Sequence, residues 1–249
     1  MDLIQAIVLG LMQGITEWLP ISSQGQTIIT AIKVFGIESE TAFAYSVFLH
    51  AGTVLAAGIY FRKEIKEIIS LKEKKLMQFM LIAVLSTAIT AIPMYLFIKE
   101  ISSSSFYLSI LIGLMLIITG LMQWKKKQEK EAQETKQNAF ILGLGQGFSV
   151  LPGVSRSGVT TSVLLFRGFS PEKAFKLSFL LSVPSVLIAE LAFGLKEGII
   201  FEWNILIAVL IAFVSGYLSI KYFIQIAKRI NFSYFCFILG IIYIIISFI

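Results

Sequence analysis

The chain has 249 residues, of which 57% are hydrophobic and 14% charged, and its net charge is +6. Soluble domains carry about 25% charged residues, so this composition excludes an ordinary soluble or disordered protein and indicates a polytopic membrane protein. One histidine (His50) and one cysteine (Cys236) exclude an intramolecular disulfide, a Cys/His metal cluster and any chemistry that needs two histidines. The N-terminus lacks the basic residues and cleavage site of a signal peptide, so we expect it to belong to the fold.

Apolar segments follow one another along the chain, and six are long enough to cross a bilayer, which takes about 20 residues. These predicted spans are 41–61, 76–98, 106–124, 173–195, 203–222 and 232–249. Two further segments, 3–35 and 139–168, are broken by polar stretches at 20–26 and 152–158. Non-helical backbone at membrane depth is tolerated only inside protein or beside a cavity. The predicted fold is therefore an all-α integral membrane protein with six transmembrane helices and two re-entrant helical hairpins.

Basic residues are concentrated in alternate loops. Loops 62–75 and 125–138 and the segment 221–229 are rich in Lys and Arg, whereas loops 99–105 and 196–202 carry one Lys each. By the positive-inside rule the basic loops are cytoplasmic. Both termini then face outward, the first hairpin enters from outside and the second from the cytoplasm. We expect 125–138 to be solvated, and a lipid-headgroup role for it is left open.

The chain also contains an internal repeat at an offset of 132–133 residues. The matched positions include polar and glycine residues: Gln13-Gly14 with Gln146-Gly147, Pro20–Thr27 with Gly153–Thr160, Gly36 with Gly168, and Glu40 with Glu172. An odd number of spans separates equivalent points, so the halves are predicted to have opposite membrane orientation, with a shared site near the midplane. We expect one transmembrane domain, with a first repeat of about 1–98, a linking span and basic loop of about 99–138, and a second repeat of about 139–249.

The two breaks carry the residues that could do chemistry. Glu17 follows Gln13 by four residues, so both share one helix face, and an intramembrane carboxylate is a functional candidate by default. The alternative for Glu17 is a glutamate at headgroup level. The start of the next short helix, with its free N–H groups, suits a phosphate. Candidate residues at the two breaks are Ser22, Ser23 and Gln26 in the first, and Ser155, Arg156, Ser157, Gly158 and Thr160 in the second.

Arg156 lies among apolar arms, and arginine is suited to bidentate phosphate binding. The structural alternative is an arginine that only pairs with Glu17. Thr160 either lines or caps the site or bonds the backbone. An acid, a hydroxyl, an arginine and two helix N-termini predict an anion site, but they do not distinguish hydrolysis from transport.

At these residues the sequence resembles the undecaprenyl pyrophosphate phosphatase, or bacitracin-resistance, family. The resemblance rests on Gln13–Glu17, which matches an [E/Q]-x-x-x-E motif, and on Pro152–Thr160, which matches P-G-x-S-R-S-G-x-T. It implies a cell-membrane enzyme, facing outward, that removes the terminal phosphate of a C55 polyprenyl diphosphate and so recycles the lipid carrier for envelope synthesis. It also implies that Glu17 and Gln13 take the roles of the acidic motif, that Ser23 is the nucleophile or a positioning hydroxyl, and that Arg156 holds the diphosphate. With the two breaks, this predicts Glu17, Ser23 and Arg156 as catalytic residues. The predicted substrate-binding residues are Gln13, Ser22, Gln26, Ser155, Ser157, Gly158 and Thr160.

The resemblance further implies a divalent cation, Mg²⁺ or Ca²⁺. Glu17 is the only evident carboxylate ligand, so the substrate phosphates would supply most of the coordination. The expected partners are the polyprenyl diphosphate and membrane lipids, with no nucleic acid, and a homodimer is left open.

Gln26 stands where the family motif usually has a histidine, and glutamine cannot act as an acid or base near neutral pH. One hypothesis is that His50 substitutes for it; the alternative is a helix–helix hydrogen bond. Two other functions are also compatible with the sequence. One is a transporter or lipid-phosphate flippase, in which Glu190 could couple protons, and the other is a non-catalytic lipid-binding homologue.

Overall fold

The computed structural model describes residues 1–101, 103–124, 132–197, 202–229 and 231–248. Within these ranges the regular structure is helical, comprising eleven α-helices and a 3-10 turn at Phe148–Val150. The helices are α1 (Leu3–Thr16), α2 (Ser23–Lys33), α3 (Ser39–Tyr60), α4 (Arg62–Ile69), α5 (Lys74–Ile101), α6 (Ser105–Trp124), α7 (Lys136–Gly147), α8 (Arg156–Phe166), α9 (Pro171–Glu197), α10 (Trp203–Arg229) and α11 (Ser233–Ser247).

Five of these helices, α3, α5, α6, α9 and α10, are long and apolar enough to cross a membrane. The prediction of an all-α integral membrane protein is therefore confirmed. The sixth predicted span, 232–249, corresponds to α11, whose 15 residues are fewer than a full crossing needs, so the count of six stays a prediction. Residues 125–131 of the predicted basic loop and 198–201 of the loop before α10 lie outside the described residues.

Each interrupted segment consists of two short helices. The lengths are 14 and 11 residues for α1 and α2, and 12 and 11 residues for α7 and α8. The basic connecting segment 62–75 contains a short helix that the sequence analysis did not predict, because α4 occupies its first half. Ile65 and Ile68 pack against the hydrophobic core from this helix, and that apolar spacing among charged residues favours helix over loop.

Glycines bring the short helices close to the long ones. A Cβ on Gly14 of α1 would lie 2.0 Å from Ser215 Oγ and 2.6 Å from Ala212 O of α10. A Cβ on Gly147, at the end of α7, would lie 2.0 Å from Thr90 Oγ1 of α5. Since small residues let helix backbones approach closely in membranes, α1 packs on α10 and α7 packs on α5 at these points.

A third glycine contact joins α6 to α11. A Cβ on Gly113 would lie 2.7 Å from the carbonyl oxygen of Gly240, and a Cβ on Gly240 would lie 2.7 Å from that of Gly113. The contact is thus reciprocal. It sets α6 and α11 side by side, next to the break between α1 and α2.

We expect Gly14→Ala to lower the stability of the protein by about 1–3 kcal/mol, because its methyl group would overlap α10. The matched control is Gly58→Ala, since a Cβ at Gly58 meets nothing within 4 Å and alanine favours helix over glycine. Thermal unfolding in detergent measures both. Unchanged stability of Gly14→Ala would contradict the close α1–α10 packing.

Candidate functional site

The breaks between α1 and α2 and between α7 and α8 form two elbows, residues 17–22 and 148–155, which are hydrogen-bonded to each other. Ser22 Oγ caps α2 by accepting from the backbone N–H of Gly25 at 3.2 Å. The same oxygen accepts from the backbone N–H of Gly153 at 3.1 Å. Ser157 Oγ donates to the carbonyl of Leu19 at 3.2 Å. These bonds hold the two elbows against one another inside the protein.

Both elbows use left-handed backbone. Ser22 has a φ of 61° and Gly153 a φ of 95°. A Cβ on Gly153 would also lie 2.4 Å from the carbonyl oxygen of Ile112 in α6. Position 153 therefore requires glycine for both its conformation and its space.

Glu17 lies at the centre of a buried group of polar side chains, here called the Glu17 cluster: Gln13, Glu17, Ser23, His50 and Arg156. Its Oε1 accepts from Arg156 Nη2 at 2.8 Å. Its Oε2 accepts from Ser23 Oγ at 2.6 Å and from Gln13 Nε2 at 3.0 Å, and His50 Nε2 lies 3.5 Å from the same oxygen. Glu17 is only 8% exposed. The structure thus brings together the acid, the hydroxyl and the guanidinium that the sequence placed in separate halves.

Arg156 is fixed by a second set of contacts. Its Nη1 donates to the carbonyl of Ser178 in α9 at 3.2 Å. Thr160 Oγ1 donates to the Arg156 carbonyl at 2.7 Å and lies 2.6 Å from Ser178 Oγ. The cap of α8 is Ser155, whose Oγ accepts from Gly158 N–H at 3.2 Å. Thr160 is therefore not a helix cap. It hydrogen-bonds the backbone carbonyl of Arg156 and contacts Ser178, whose carbonyl accepts from the Arg156 guanidinium.

His50 enters the cluster from α3. Its Nδ1 lies 2.8 Å from the carbonyl oxygen of Ser46, one turn earlier in the same helix. A carbonyl only accepts, so Nδ1 carries the hydrogen and Nε2 faces the Glu17 carboxylate. The Nδ1 hydrogen bond lies within α3 and is not the helix–helix bond considered from the sequence.

Two further candidates lie outside the cluster. Gln26 is buried, donates through Nε2 to the carbonyl of Ile21 at 3.0 Å, and accepts through Oε1 from the Tyr243 hydroxyl of α11. Both ends of the Gln26 amide are therefore bonded to partners outside the Glu17 cluster. Glu190 lies in α9 and is partly buried.

One atom of the cluster has an unused hydrogen-bonding capacity. Gln13 is fully buried, and its Oε1 has no hydrogen-bond partner within the described part of the chain. A buried polar atom left unpaired costs about 1–3 kcal/mol. The oxygen is thus available to accept from water or from a protonated group of a ligand.

The donor set does not fit a cation held by protein alone. Among the described residues no three His, Cys, Asp or Glu side chains come together. Both oxygens of Glu17 already accept from Arg156, Ser23 and Gln13. No step of the chemistry is therefore assigned to a resident metal.

Sequence reasoning missed the side chains that satisfy the backbone of the elbows. Gln123 Nε2 and Cys236 Sγ donate to the carbonyl of Pro20, at 2.9 and 3.3 Å. Thr119 Oγ1 donates to the carbonyl of Gly153 at 3.3 Å. All three come from α6 and α11. A polar residue inside an apolar span was the available signal, but it does not say what the residue bonds.

The fold and the cluster define an integral membrane protein with a buried site suited to an anionic group. Residues 6–242 match the family model described as "Bacitracin resistance protein BacA", and the chain belongs to that family.

Several relatives carry the name undecaprenyl-diphosphatase. One from Methanococcoides burtonii is 38% identical over 259 residues, covering 97% of each chain. One from Methanothrix thermoacetophila is 40% identical over 246 residues, covering 97% of this chain and 96% of the relative. A third, from Sulfurisphaera tokodaii, is 32% identical over 260 residues, covering 99% and 98%.

We expect Ser22→Ala to destabilise the protein by about 1–2 kcal/mol, because it removes the acceptor for two backbone N–H groups. Ser22→Gly loses the same acceptor but relieves the left-handed backbone, so its loss should be smaller by about 1 kcal/mol. Thermal unfolding in detergent measures the difference. If glycine were as damaging as alanine, the left-handed conformation at position 22 would be wrong.

Proposed function

We propose that this chain is an undecaprenyl-diphosphatase: a membrane phosphatase that hydrolyses a polyprenyl diphosphate to the monophosphate and inorganic phosphate, recycling the lipid carrier for envelope synthesis. Membership of the BacA family and the names of its relatives support this function. The observation that carries it is the buried contact of Glu17 with both Ser23 and Arg156. That contact joins an acid and a hydroxyl from one elbow to a guanidinium from the other.

In the proposed reaction Ser23 Oγ attacks the terminal phosphorus of the diphosphate. A P–Oγ bond forms, the bond from phosphorus to the bridging oxygen breaks, and polyprenyl monophosphate leaves. The hydroxyl proton passes to Glu17 Oε2, which already accepts from Ser23 at 2.6 Å. Water then hydrolyses the phosphoserine and releases inorganic phosphate. The alternative is direct attack by a water that Glu17 activates.

Arg156 and the two helix N-termini are proposed to stabilise charge on the equatorial phosphate oxygens. Phosphoryl transfer depends chiefly on positioning and electrostatics. The guanidinium uses two of its nitrogens for Glu17 and Ser178 and retains further N–H donors for phosphate. The first turns of α2 and α8 supply backbone N–H groups beside it.

The other candidate residues are proposed to bind the diphosphate or to shape its site. Gln13, with its unpaired buried Oε1, is proposed to bind a protonated phosphate oxygen or a water. Ser22, Ser155, Ser157 and Gly158 are proposed to shape the elbows that receive the diphosphate. A Mg²⁺ or Ca²⁺ ion, where the reaction uses one, is proposed to arrive with the diphosphate.

The proposed topology has six crossings and two re-entrant hairpins in an inverted repeat, with the repeat boundaries predicted above. Two observations support it: α1 packs on α10 as its counterpart α7 packs on α5, and both contacts use matched glycines, Gly14 and Gly147. The sixth crossing would be α11, whose 15 residues span about 22 Å at 1.5 Å per residue. Such a short span thins the bilayer locally.

We further propose that the basic loops face the cytoplasm of the cell membrane, so that the site faces outward. The carrier alternative has no support among the relatives. It is also separable by experiment, because a phosphatase releases phosphate in detergent without a gradient, whereas a carrier needs sealed vesicles and releases none.

We expect Glu17→Gln and Arg156→Gln each to reduce phosphate release from a C55 diphosphate by at least about a hundredfold, because each removes a group that acts on the reacting phosphate. The assay uses purified protein in detergent. Glu40→Gln, which changes an exposed carboxyl in the first turn of α3, is the matched control and should keep normal activity.

Ser23→Ala should lose both turnover and the phosphoenzyme. Full activity of Ser23→Ala would leave water as the nucleophile, and full activity of Glu17→Gln would refute the site.

We expect His50→Gln to reduce kcat at least about tenfold. Glutamine can replace the hydrogen bond to the Ser46 carbonyl but cannot exchange a proton. The measurement is phosphate release by the purified protein in detergent. Near-normal turnover would remove His50 from the chemistry.

A further inference from the structure

We propose that an apolar groove at the junction of α3 and α4 binds an anionic phospholipid, whose headgroup contacts the basic residues beside the groove. The groove has a volume of about 350 Å³. Six residues line it: Gly58, Arg62, Ile65, Lys66, Ile69 and Ser70. None of these six residues belongs to the Glu17 cluster or is assigned to the phosphatase reaction.

The exposed surface of the groove is mostly apolar, and its two charged lining residues, Arg62 and Lys66, are both basic and exposed. Arg62 Nη1 donates to the carbonyl of Ile59 at the end of α3, at 3.1 Å. This bond holds the guanidinium beside the end of α3, while its other N–H donors remain available for phosphate.

The carboxylates of α4 are directed elsewhere. Positions 62, 65, 66 and 69 share one face of the helix, whereas Glu64 and Glu67 lie on the opposite face. Glu64 pairs with Lys176 of α9 at 3.2 Å. The acids of α4 therefore do not offset the positive charge at the groove.

The location selects a lipid over other anionic ligands. α3 is a candidate span that ends at Tyr60, so the groove lies where this span reaches the membrane surface. Ile69 is 74% exposed and Leu71 50% exposed, which places apolar side chains beside the two cations. An apolar surface edged by basic residues is typical of interfacial helices that bind anionic lipids, and a protein partner would need a far larger surface than this groove.

The test measures binding of labelled phosphatidylglycerol and phosphatidylcholine to the purified full chain in neutral detergent. We expect phosphatidylglycerol to bind more tightly. The double variant Arg62→Gln/Lys66→Gln should weaken that binding by about fivefold for each charge removed, since one basic residue near an anionic surface contributes about 1 kcal/mol. Lys74→Gln/Lys75→Gln removes the same charge from the exposed start of α5 and should leave binding unchanged. Arg62→Lys/Lys66→Arg should retain it.

Four results would overturn the proposal. Equal loss in both glutamine variants would indicate diffuse surface charge, and equal binding of the two lipids would remove the anionic selectivity. Displacement of the lipid by millimolar inorganic phosphate would indicate a site for free anions. Light scattering tests whether a second copy of the chain occupies the groove instead. In that case the molecular mass of the protein would change in Arg62→Gln/Lys66→Gln. The binding readout requires no turnover, so it stands or falls separately from the proposed phosphatase activity.

Discussion

The structure depends on one buried ion pair, in which the carboxylate of Glu17 meets the guanidinium of Arg156 at 2.8 Å. Burying two charges is costly, and their attraction offsets the cost only where the remaining donors and acceptors are also satisfied. Here Ser23 and Gln13 donate to the other carboxylate oxygen, and the carbonyl of Ser178 accepts from the guanidinium. The charges come from elbows in different halves of the chain. Neither half can bury its own charge favourably without the other, so the pair makes the joining of the two elbows a condition of the fold.

Such a joint requires helices that end inside the protein, and each helix end leaves backbone groups that need other partners. The structure supplies their partners from neighbouring helices. Gln123 and Cys236 donate to the carbonyl of Pro20, and Ser22 accepts from the N–H of Gly153. Small residues do the rest, because glycine contacts bring the short helices within reach of the long ones. The breaks are thus stabilised by α6 and α11 as well as by the short helices that flank them.

The sequence was sufficient for five spans, both breaks and the residues at their tips, because long apolar runs interrupted by proline, glycine and polar residues fit few folds besides a membrane bundle with broken helices. The sequence did not predict which way each side chain points or which partner it contacts. Gln26 and Ser23 are neighbours in a short motif, yet Gln26 turns to Tyr243 and Ser23 turns to Glu17. The α4 helix was missed because eight residues rich in Lys, Arg and Glu between two spans resemble a solvated loop in composition, although their apolar spacing is helical. His50 was identified only as a substitute; the Ser46 carbonyl that orients its ring is invisible to any side-chain pattern.

The matched positions of the two elbows explain how a duplicated pattern produces an asymmetric site. Each elbow ends in a capping serine, Ser22 or Ser155, and the next residue begins the helix. That first helical residue is Ser23 in one half and Arg156 in the other, an offset of 133. The carboxylate exists only once, since the position 133 residues after Glu17 is occupied by valine. A second carboxylate there would add a like charge to a buried site, which costs free energy. One acid between a hydroxyl and a guanidinium is thus the arrangement that the two elbows bury, and the difference between Ser23 and Arg156 at matched positions supplies both a hydroxyl and a cation for phosphoryl transfer.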